Sequence, residues 1–246
     1  MSPGSAPDPG PAAKRGLVLD RVVLLGRTLD EYVRFFGLDL AGLRGRAILD
    51  VASGVSSFCA EARRRELNVT ACDPIYRWRP ERIEARCGPD LDHVIRSVGP
   101  LKTYRWGFYR SPEGVRHYRE RAYRAFLADY RLDRGRGSRY VAGRLPRLPF
   151  AGGRFDLVLV SYLLFVYEDQ LDYRFHKRSI LEIMRVTRGE ARFYPLVSFE
   201  ATRCRYLERL RSDAELGDFE FEEVATDFEF LANSNAYLRI RHRKEL

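Results

Sequence analysis

The stretch that decides the fold is Ala47-Ile48-Leu49-Asp50-Val51-Ala52-Ser53-Gly54-Val55-Ser56-Ser57-Phe58. Its first five residues are apolar apart from one carboxylate, as suits a strand buried on both faces. Small residues follow, as a tight turn requires, and then the capping and apolar side chains of a helix start. A second short apolar run, Asn68-Val69-Thr70-Ala71-Cys72, ends in another acid, Asp73. Strand, small-residue loop, helix, and an acid at the tip of the next strand: with this order an open α/β sheet builds a nucleoside site. The loop lets a ligand approach the backbone, and the second acid accepts hydrogen bonds from ribose hydroxyls.

A dinucleotide site needs three glycines, because the pyrophosphate presses on the backbone and the helix sits close to the strand. Here only Gly54 is a glycine, with Ala52 before it and Ser56 after. A cofactor without phosphates, such as S-adenosylmethionine, makes weaker demands on the turn. Asp50 can sit beside the ammonium of its amino-acid tail. Backbone N–H groups at the helix start, with Ser53, Ser56 and Ser57 as caps, suit its carboxylate.

With these residues the chain resembles the class I S-adenosylmethionine-dependent methyltransferases, whose strand ends in an acid followed by Gly-x-Gly-x-Gly; Asp50, Ala52, Gly54 and Ser56 stand at the matching positions. Tyr140-Val141-Ala142-Gly143-Arg144-Leu145, then Leu148-Pro149-Phe150 and Arg154 to Ser161, resemble the family's third strand, its Leu-Pro-Phe loop and its fourth strand. Leu181-Glu182-Ile183-Met184-Arg185-Val186 and Gly189 resemble the next helix and the turn into strand five. The ordered set covers most of residues 45–200. It implies an α/β, Rossmann-like, mostly parallel seven-stranded sheet with an antiparallel last strand. It also implies a cofactor site made by Asp50, Ala52, Ser53, Gly54, Asp73, Pro74, Arg144, Leu145 and Ser161. Two positions depart from the pattern: the first and third loop glycines are Ala52 and Ser56, and the acid often found after Gly143 is Arg144.

At 246 residues the chain can hold one such domain, read as 14–246, with an insertion. Residues 1–13 are rich in Pro, Gly and Ala and are expected to be a disordered tail. The sequence has neither a bilayer-length apolar run nor a signal-peptide core, and Cys59, Cys72, Cys87 and Cys204 have no metal-ligand spacing. The expectation is a cytoplasmic, reduced protein without a metal or a membrane partner. The net charge of +9 invites a nucleic-acid reading. Yet only Lys14, Lys102, Lys177 and Lys244 are lysines among 43 basic residues, leaving 39 arginines. So lopsided a ratio is what a GC-rich coding sequence gives, and much of the charge is read as solvated surface.

Val18 to Leu25 reads as a short β-type run, and Thr28-Leu29-Asp30-Glu31 as a capping box opening a helix to about Phe36. A helix is expected over 56–65. Between the second and third strands, residues 75–138 are about twice as long as one connecting helix needs, and they carry 15 basic against 8 acidic residues and ten aromatics. Ser111 as N-cap with Pro112 at the first position starts a helix running to Tyr130. The segment reads as a mainly helical cap beside the cofactor cleft. Further on, a helix is expected over 172–187, a strand from Arg192 to Val197, a helix over 201–216, and a long strand from Phe219 to Leu231. A turn at 232–235 leads to a last strand, Ala236 to Arg241, with the closing pair the only antiparallel one in the sheet.

Methyl transfer from a sulfonium is an in-line displacement in which the cofactor brings its own leaving group, so no catalytic motif is required. The sequence has no Asn-Pro-Pro-Tyr-like run and no Pro-Cys nucleophile, which points to an oxygen or nitrogen of a small-molecule acceptor. The insertion's charge and rings fit an anionic or aromatic one. Tyr104, Trp106 and Tyr109, in an Arg-rich loop without helical periodicity, are candidates for the acceptor pocket, with Tyr167 after the fourth strand. Tyr162 and His176 are the catalytic candidates, though His176 reads first as a half-buried helix residue. Two alternatives stand beside this reading: an RNA methyltransferase whose insertion tracks phosphates, and a catalytically silent partner protein of the same fold.

Overall fold

The computed structural model describes residues 23–99, 101–134 and 139–243. The tail expected at 1–13 and the first part of the run from Val18 lie outside them, while 23–25 form no strand. Seven strands make one sheet: β1 (Ala47–Val51), β2 (Asn68–Cys72), β3 (Tyr140–Val141), β4 (Phe155–Ser161), β5 (Thr187–Tyr194), β6 (Phe219–Ala225) and β7 (Ala236–His242). Their order is β3-β2-β1-β4-β5-β7-β6. All pairs from β3 to β5 are parallel. The chain winds outward from β1 through β2 to β3, then crosses back to β4. The carboxyl ends of β1 and β4 therefore flank the switch point, where open α/β sheets bind ligands.

Both faces are covered. Along β4, Leu157 and Leu159 point to one side and Val158 and Val160 to the other, all buried in two separate apolar clusters. Continuous apolar strands are what a sheet buried on both faces requires. Helices α1 (Leu29–Phe36), α2 (Phe58–Arg63), α3 (Pro80–Val98) and α4 (Pro112–Asp133) supply the first cluster; α5 (Tyr173–Val186) and α6 (Leu207–Arg211) supply the second.

The capping box is present: Thr28 Oγ1 accepts from the Glu31 N–H, and Glu31 accepts from the Thr28 N–H at 2.8 Å. Ser111 caps α4 with Pro112 at its first position. The insertion is helical, but α4 is no peripheral addition. It packs on α2 and α3, and its Val115, Phe126, Leu127 and Tyr130 belong to the domain core.

Four expectations are corrected. β5 begins at Thr187, straight out of α5, so Gly189 lies inside the strand. It sits beside the register shift between β4 and β5, and a Cβ on it would stand 2.1 Å from the Asp156 carbonyl oxygen, a close approach only glycine permits. The helix expected over 201–216 shrinks to α6 and a 3-10 turn, Ala214–Leu216, because Val197 and Arg203 bridge and Ala201 takes a left-handed backbone (φ 60°). The strand expected to Leu231 stops at Ala225. Phe228, Phe230 and Leu231 turn inward as core side chains against the 104–109 loop. Finally, β7 is antiparallel to β5 as well as to β6, so the closing pair is not the only antiparallel one.

Candidate functional site

The loop leaving β1 forms the floor of the site. Asp50 is fully buried beneath it. Tyr32 on α1 donates its hydroxyl to Asp50 Oδ1 at 2.9 Å and lies 3.0 Å from Ser161 Oγ at the end of β4; Ser53 Oγ donates to Asp50 Oδ2 at 2.5 Å. Burial outweighs these donors and pushes the Asp50 carboxyl up to about 7. Ala52 and Gly54 both adopt left-handed backbone, φ 55° and 54°. The turn geometry is thus kept where alanine replaces glycine, at a cost of about 1–2 kcal/mol.

Asp73 closes the other side. Its Oδ1 accepts from the Ile75 N–H and its Oδ2 from the Gly54 N–H, both at 2.9 Å, and burial raises its carboxyl to about 6. Tyr76 donates to the Gly54 carbonyl at 2.9 Å, and Tyr130 on α4 donates to the Tyr76 carbonyl at 2.8 Å. Space beside the Gly54 Cα is open, leaving the backbone approachable.

The Ala52–Gly54 turn and Asp73 line a cleft of about 710 Å³ at the carboxyl ends of β1, β2 and β4. Ala52, Ser53, Gly54, Asp73, Pro74, Arg144, Leu145, Ser161, Tyr162 and Tyr167 all face it, whereas Asp50 lies under the loop. Four of the residues singled out from the sequence are elsewhere. His176 is buried in the opposite apolar layer. Its ring nitrogens lie 2.8 Å from the Asp172 carbonyl and 3.0 Å from the Leu164 carbonyl, and burial lowers its pKa. It ties α5 to the preceding segment and does not reach the cleft. Tyr104 and Trp106 pack on Phe230. Tyr109 is buried against Arg119 and Glu31. Lack of helical period does not mark a pocket there, because the aperiodic loop pairs with the equally aperiodic residues 230–232 through Arg105 N–H to Phe230 O and Ala232 N–H to Thr103 O.

The structure adds residues that the sequence did not nominate. Arg27 and Tyr32 reach the cleft from the leading segment, Trp78 and Arg86 from the insertion, and Phe175 and Phe199 from beyond β4. Tyr32 carried a signal, lying on the apolar face of the capped helix with Leu29, Phe35 and Phe36. Arg27 carried none among so many arginines. Its position depends on Gly26, where a Cβ would meet the Val55 carbonyl oxygen at 2.2 Å, so glycine lets this segment lie against the loop. The Arg27 carbonyl accepts from the Ser57 N–H at 3.0 Å and from Ser56 Oγ at 2.8 Å. Behind it, Arg119 on α4 donates to Glu31 Oε1 at 2.6 Å and to the Gly26 carbonyl at 2.9 Å, and Tyr109 also bonds Glu31. Burial works against the Glu31 charge, yet Arg119 and then Arg27 hold its carboxyl below the ordinary value.

Among the described residues no group of three or more His, Cys, Asp and Glu is placed to hold a metal, and no helix is long and apolar enough to cross a membrane.

No protein-family model matches the chain. Solved structures similar to it include the N-methyltransferase NodS from Bradyrhizobium japonicum with S-adenosylhomocysteine, at 12% identity, 87% of each chain and a TM-score of 0.46. Magnesium protoporphyrin IX methyltransferase from Synechocystis with bound S-adenosylmethionine is also 12% identical, over 87% of this chain and 78% of that one, with a TM-score of 0.44. TrmN from Thermus thermophilus, again 12% identical, covers 87% of this chain and 48% of that one at a TM-score of 0.45. Such distant likenesses carry no argument about this chain, and its fold is identified by its own strand order. At the sequence level, the uncharacterized protein MJ0045 of Methanocaldococcus jannaschii is 36% identical over 229 residues, 92% of this chain and 99% of that protein. The chain therefore belongs to the family of MJ0045, built on the Rossmann-like fold of the class I S-adenosylmethionine-dependent methyltransferases.

Proposed function

We propose that this protein binds S-adenosylmethionine in the cleft and transfers its methyl group to an oxygen or nitrogen of a small-molecule acceptor. The observation that carries this reading is the placement of Asp73. A buried carboxylate at the end of β2 is fixed by two backbone N–H groups and faces a cleft floored by the Ala52–Gly54 turn. It keeps lone pairs for two ribose hydroxyls. Asp50, linked to Tyr32 and Ser53, supplies negative charge below the turn, where an ammonium would sit. The cofactor, when bound, supplies a methyl on a sulfonium, which is its own leaving group.

The protein's part is to align the acceptor and exclude water. Burial raises the Tyr162 hydroxyl above its ordinary value, with Arg27 opposing, so it stays protonated and is available as a donor to a ligand. It is no base at neutral pH, and His176 is out of reach. The acceptor is then one that arrives ionised, or a neutral amine that releases its proton to water after transfer.

Calorimetry with S-adenosylmethionine and S-adenosylhomocysteine tests this. Binding with the ligand in the cleft is expected, and binding of neither would leave the chain a silent relative of the fold. An RNA acceptor would draw on the +7 charge of residues 75–138. Its affinity must fall steeply with salt through counterion release. We expect RNA and DNA binding to be weak at physiological ionic strength, and a tight, methylated RNA complex there would replace the small-molecule reading.

A further inference from the structure

Taking the cleft as the transfer site proposed above, we infer that Arg27 and Tyr162 form a carboxylate-binding subsite within it. Three observations meet at this pair. The first is a charge imbalance. Glu31 Oε1 lies 2.6 Å from Arg119 and 3.9 Å from Arg27, so one carboxylate serves two guanidinium groups. Among the described residues Arg27 has no other acidic partner, and it is only 8% exposed. A buried cation without a full counter-charge is costly to the apoprotein and favours an anion.

The second observation is that two polar atoms are left over. Arg27 Nε, whose nearest acidic oxygen is Glu31 Oε1 at 3.9 Å, and the Tyr162 hydroxyl, which lies beside Tyr194, are both buried, and neither makes a well-formed hydrogen bond among the described residues. Native folds leave few such atoms, and each calls for a water, an ion or another group that completes it. The third is that the two side chains are locked together at the cleft wall: the guanidinium lies over the Tyr162 ring, 4.2 Å from its centroid. Stacking satisfies the ring and the delocalised charge but neither Nε–H nor the hydroxyl. One carboxylate, with two oxygens, can accept from both donors and supply the missing charge.

The backbone around Arg27 is already fixed by Ser57, Ser56 and Arg119, so the donor is preorganised. The adjoining wall is apolar and aromatic, with Tyr167, Leu171, Phe175 and Phe199. It suits an acceptor with a planar or apolar body and one carboxylate. The cofactor's own carboxylate is chemically the same group, and the experiment separates the two sources.

The probes are benzoate and its neutral isostere benzamide, titrated by NMR into the full chain with and without S-adenosylhomocysteine. In parallel, S-adenosylhomocysteine and its decarboxylated analogue are titrated by calorimetry. Each is measured on the parent, on Tyr162→Phe, which keeps the stacked ring, and on Arg27→Gln. For an acceptor carboxylate, the parent should bind benzoate at least tenfold tighter than benzamide. Tyr162→Phe should then lose several-fold of that preference and Arg27→Gln nearly all of it, with benzamide unchanged. If the loss falls instead on S-adenosylhomocysteine and spares its decarboxylated form, the subsite stands and the cofactor is its source. A benzoate preference that persists while S-adenosylhomocysteine fails to bind would sink the cofactor reading and leave the subsite intact. The subsite is overturned if the parent prefers neither carboxylate over its neutral counterpart, or if both variants bind all four probes as the parent does.

Discussion

The Gly54 backbone N–H donates to Asp73 Oδ2 at 2.9 Å, so the acid at the tip of β2 holds the turn that leaves β1. Its other oxygen holds the Ile75 N–H and starts the insertion. One side chain thereby fixes both walls of that end of the cleft.

Replacing that side chain should show both roles. Hydrogen bonds to a charged group contribute about 1.5–3 kcal/mol each, so Asp73→Ala, losing two to ribose hydroxyls, should weaken S-adenosylmethionine by about 100-fold or more. Asp73→Asn keeps an acceptor for one backbone N–H and should fall between. Calorimetry on the three proteins checks the order, and an alanine variant that binds like the parent would remove Asp73 from the site.

Asp50 predicts a pH dependence with a definite sign. Its folded pKa, about 7, lies above the ordinary 3.8, so the folded apoprotein holds this proton more tightly than the unfolded chain does. Its stabilising contribution is full below about pH 4 and is lost as pH rises through 7. A ligand ammonium beside it favours the ionised form, so cofactor affinity should rise across pH 6–8 with release of part of a proton. Calorimetry in buffers of differing ionisation enthalpy measures that proton, and Asp50→Asn should abolish its release.

The Glu31–Arg119 pair predicts a large stability effect. Both groups are buried at 2.6 Å, and removing Arg119 leaves Glu31 only Arg27, at 3.9 Å. Arg119→Met should cost about 3–5 kcal/mol. Glu31→Gln combined with Arg119→Met should recover little of it, because Arg27, 3.9 Å from Glu31 in the parent, then loses its one acidic partner among the described residues. Urea unfolding of the single and double variants gives the coupling.

Ligand-dependent protection should be unequal along the insertion, which we propose selects the acceptor. The 3-10 turn Pro74–Arg77, Trp78 and Arg86 line the cleft, whereas no α4 residue does. Hydrogen exchange should slow over 75–90 when cofactor binds, with little change over 112–133. Uniform behaviour across both stretches would make the insertion a structural layer only.

Much of the fold was legible because it depends on local pattern. The apolar runs ending in Asp50, Asp73 and Ser161 read as strands, and Thr28 with Glu31, and Ser111 with Pro112, marked helix starts through caps that act within four residues. The cleft-lining residues from Ala52 to Gly54, with Asp73 and Ser161, followed from position at strand ends, which fixes where a side chain emerges, whereas Arg144 followed only from the resemblance to the methyltransferases. Tyr104, Trp106 and Tyr109 were misplaced for the opposite reason. Their aromatic character fits a core as well as a pocket, and only the return of Phe228 and Phe230 from a distant loop made it core.

The sequence by itself determined the succession of strands and helices around Asp50 and Asp73, because hydrophobic period and capping chemistry act over a few residues. The tertiary structure alone decided that Arg27 stacks on Tyr162, that Arg119 takes Glu31, and that His176 faces away from the cleft. Those outcomes depend on desolvation and on which distant backbone comes near, as at Gly26 against Val55. No spacing along the chain encodes them.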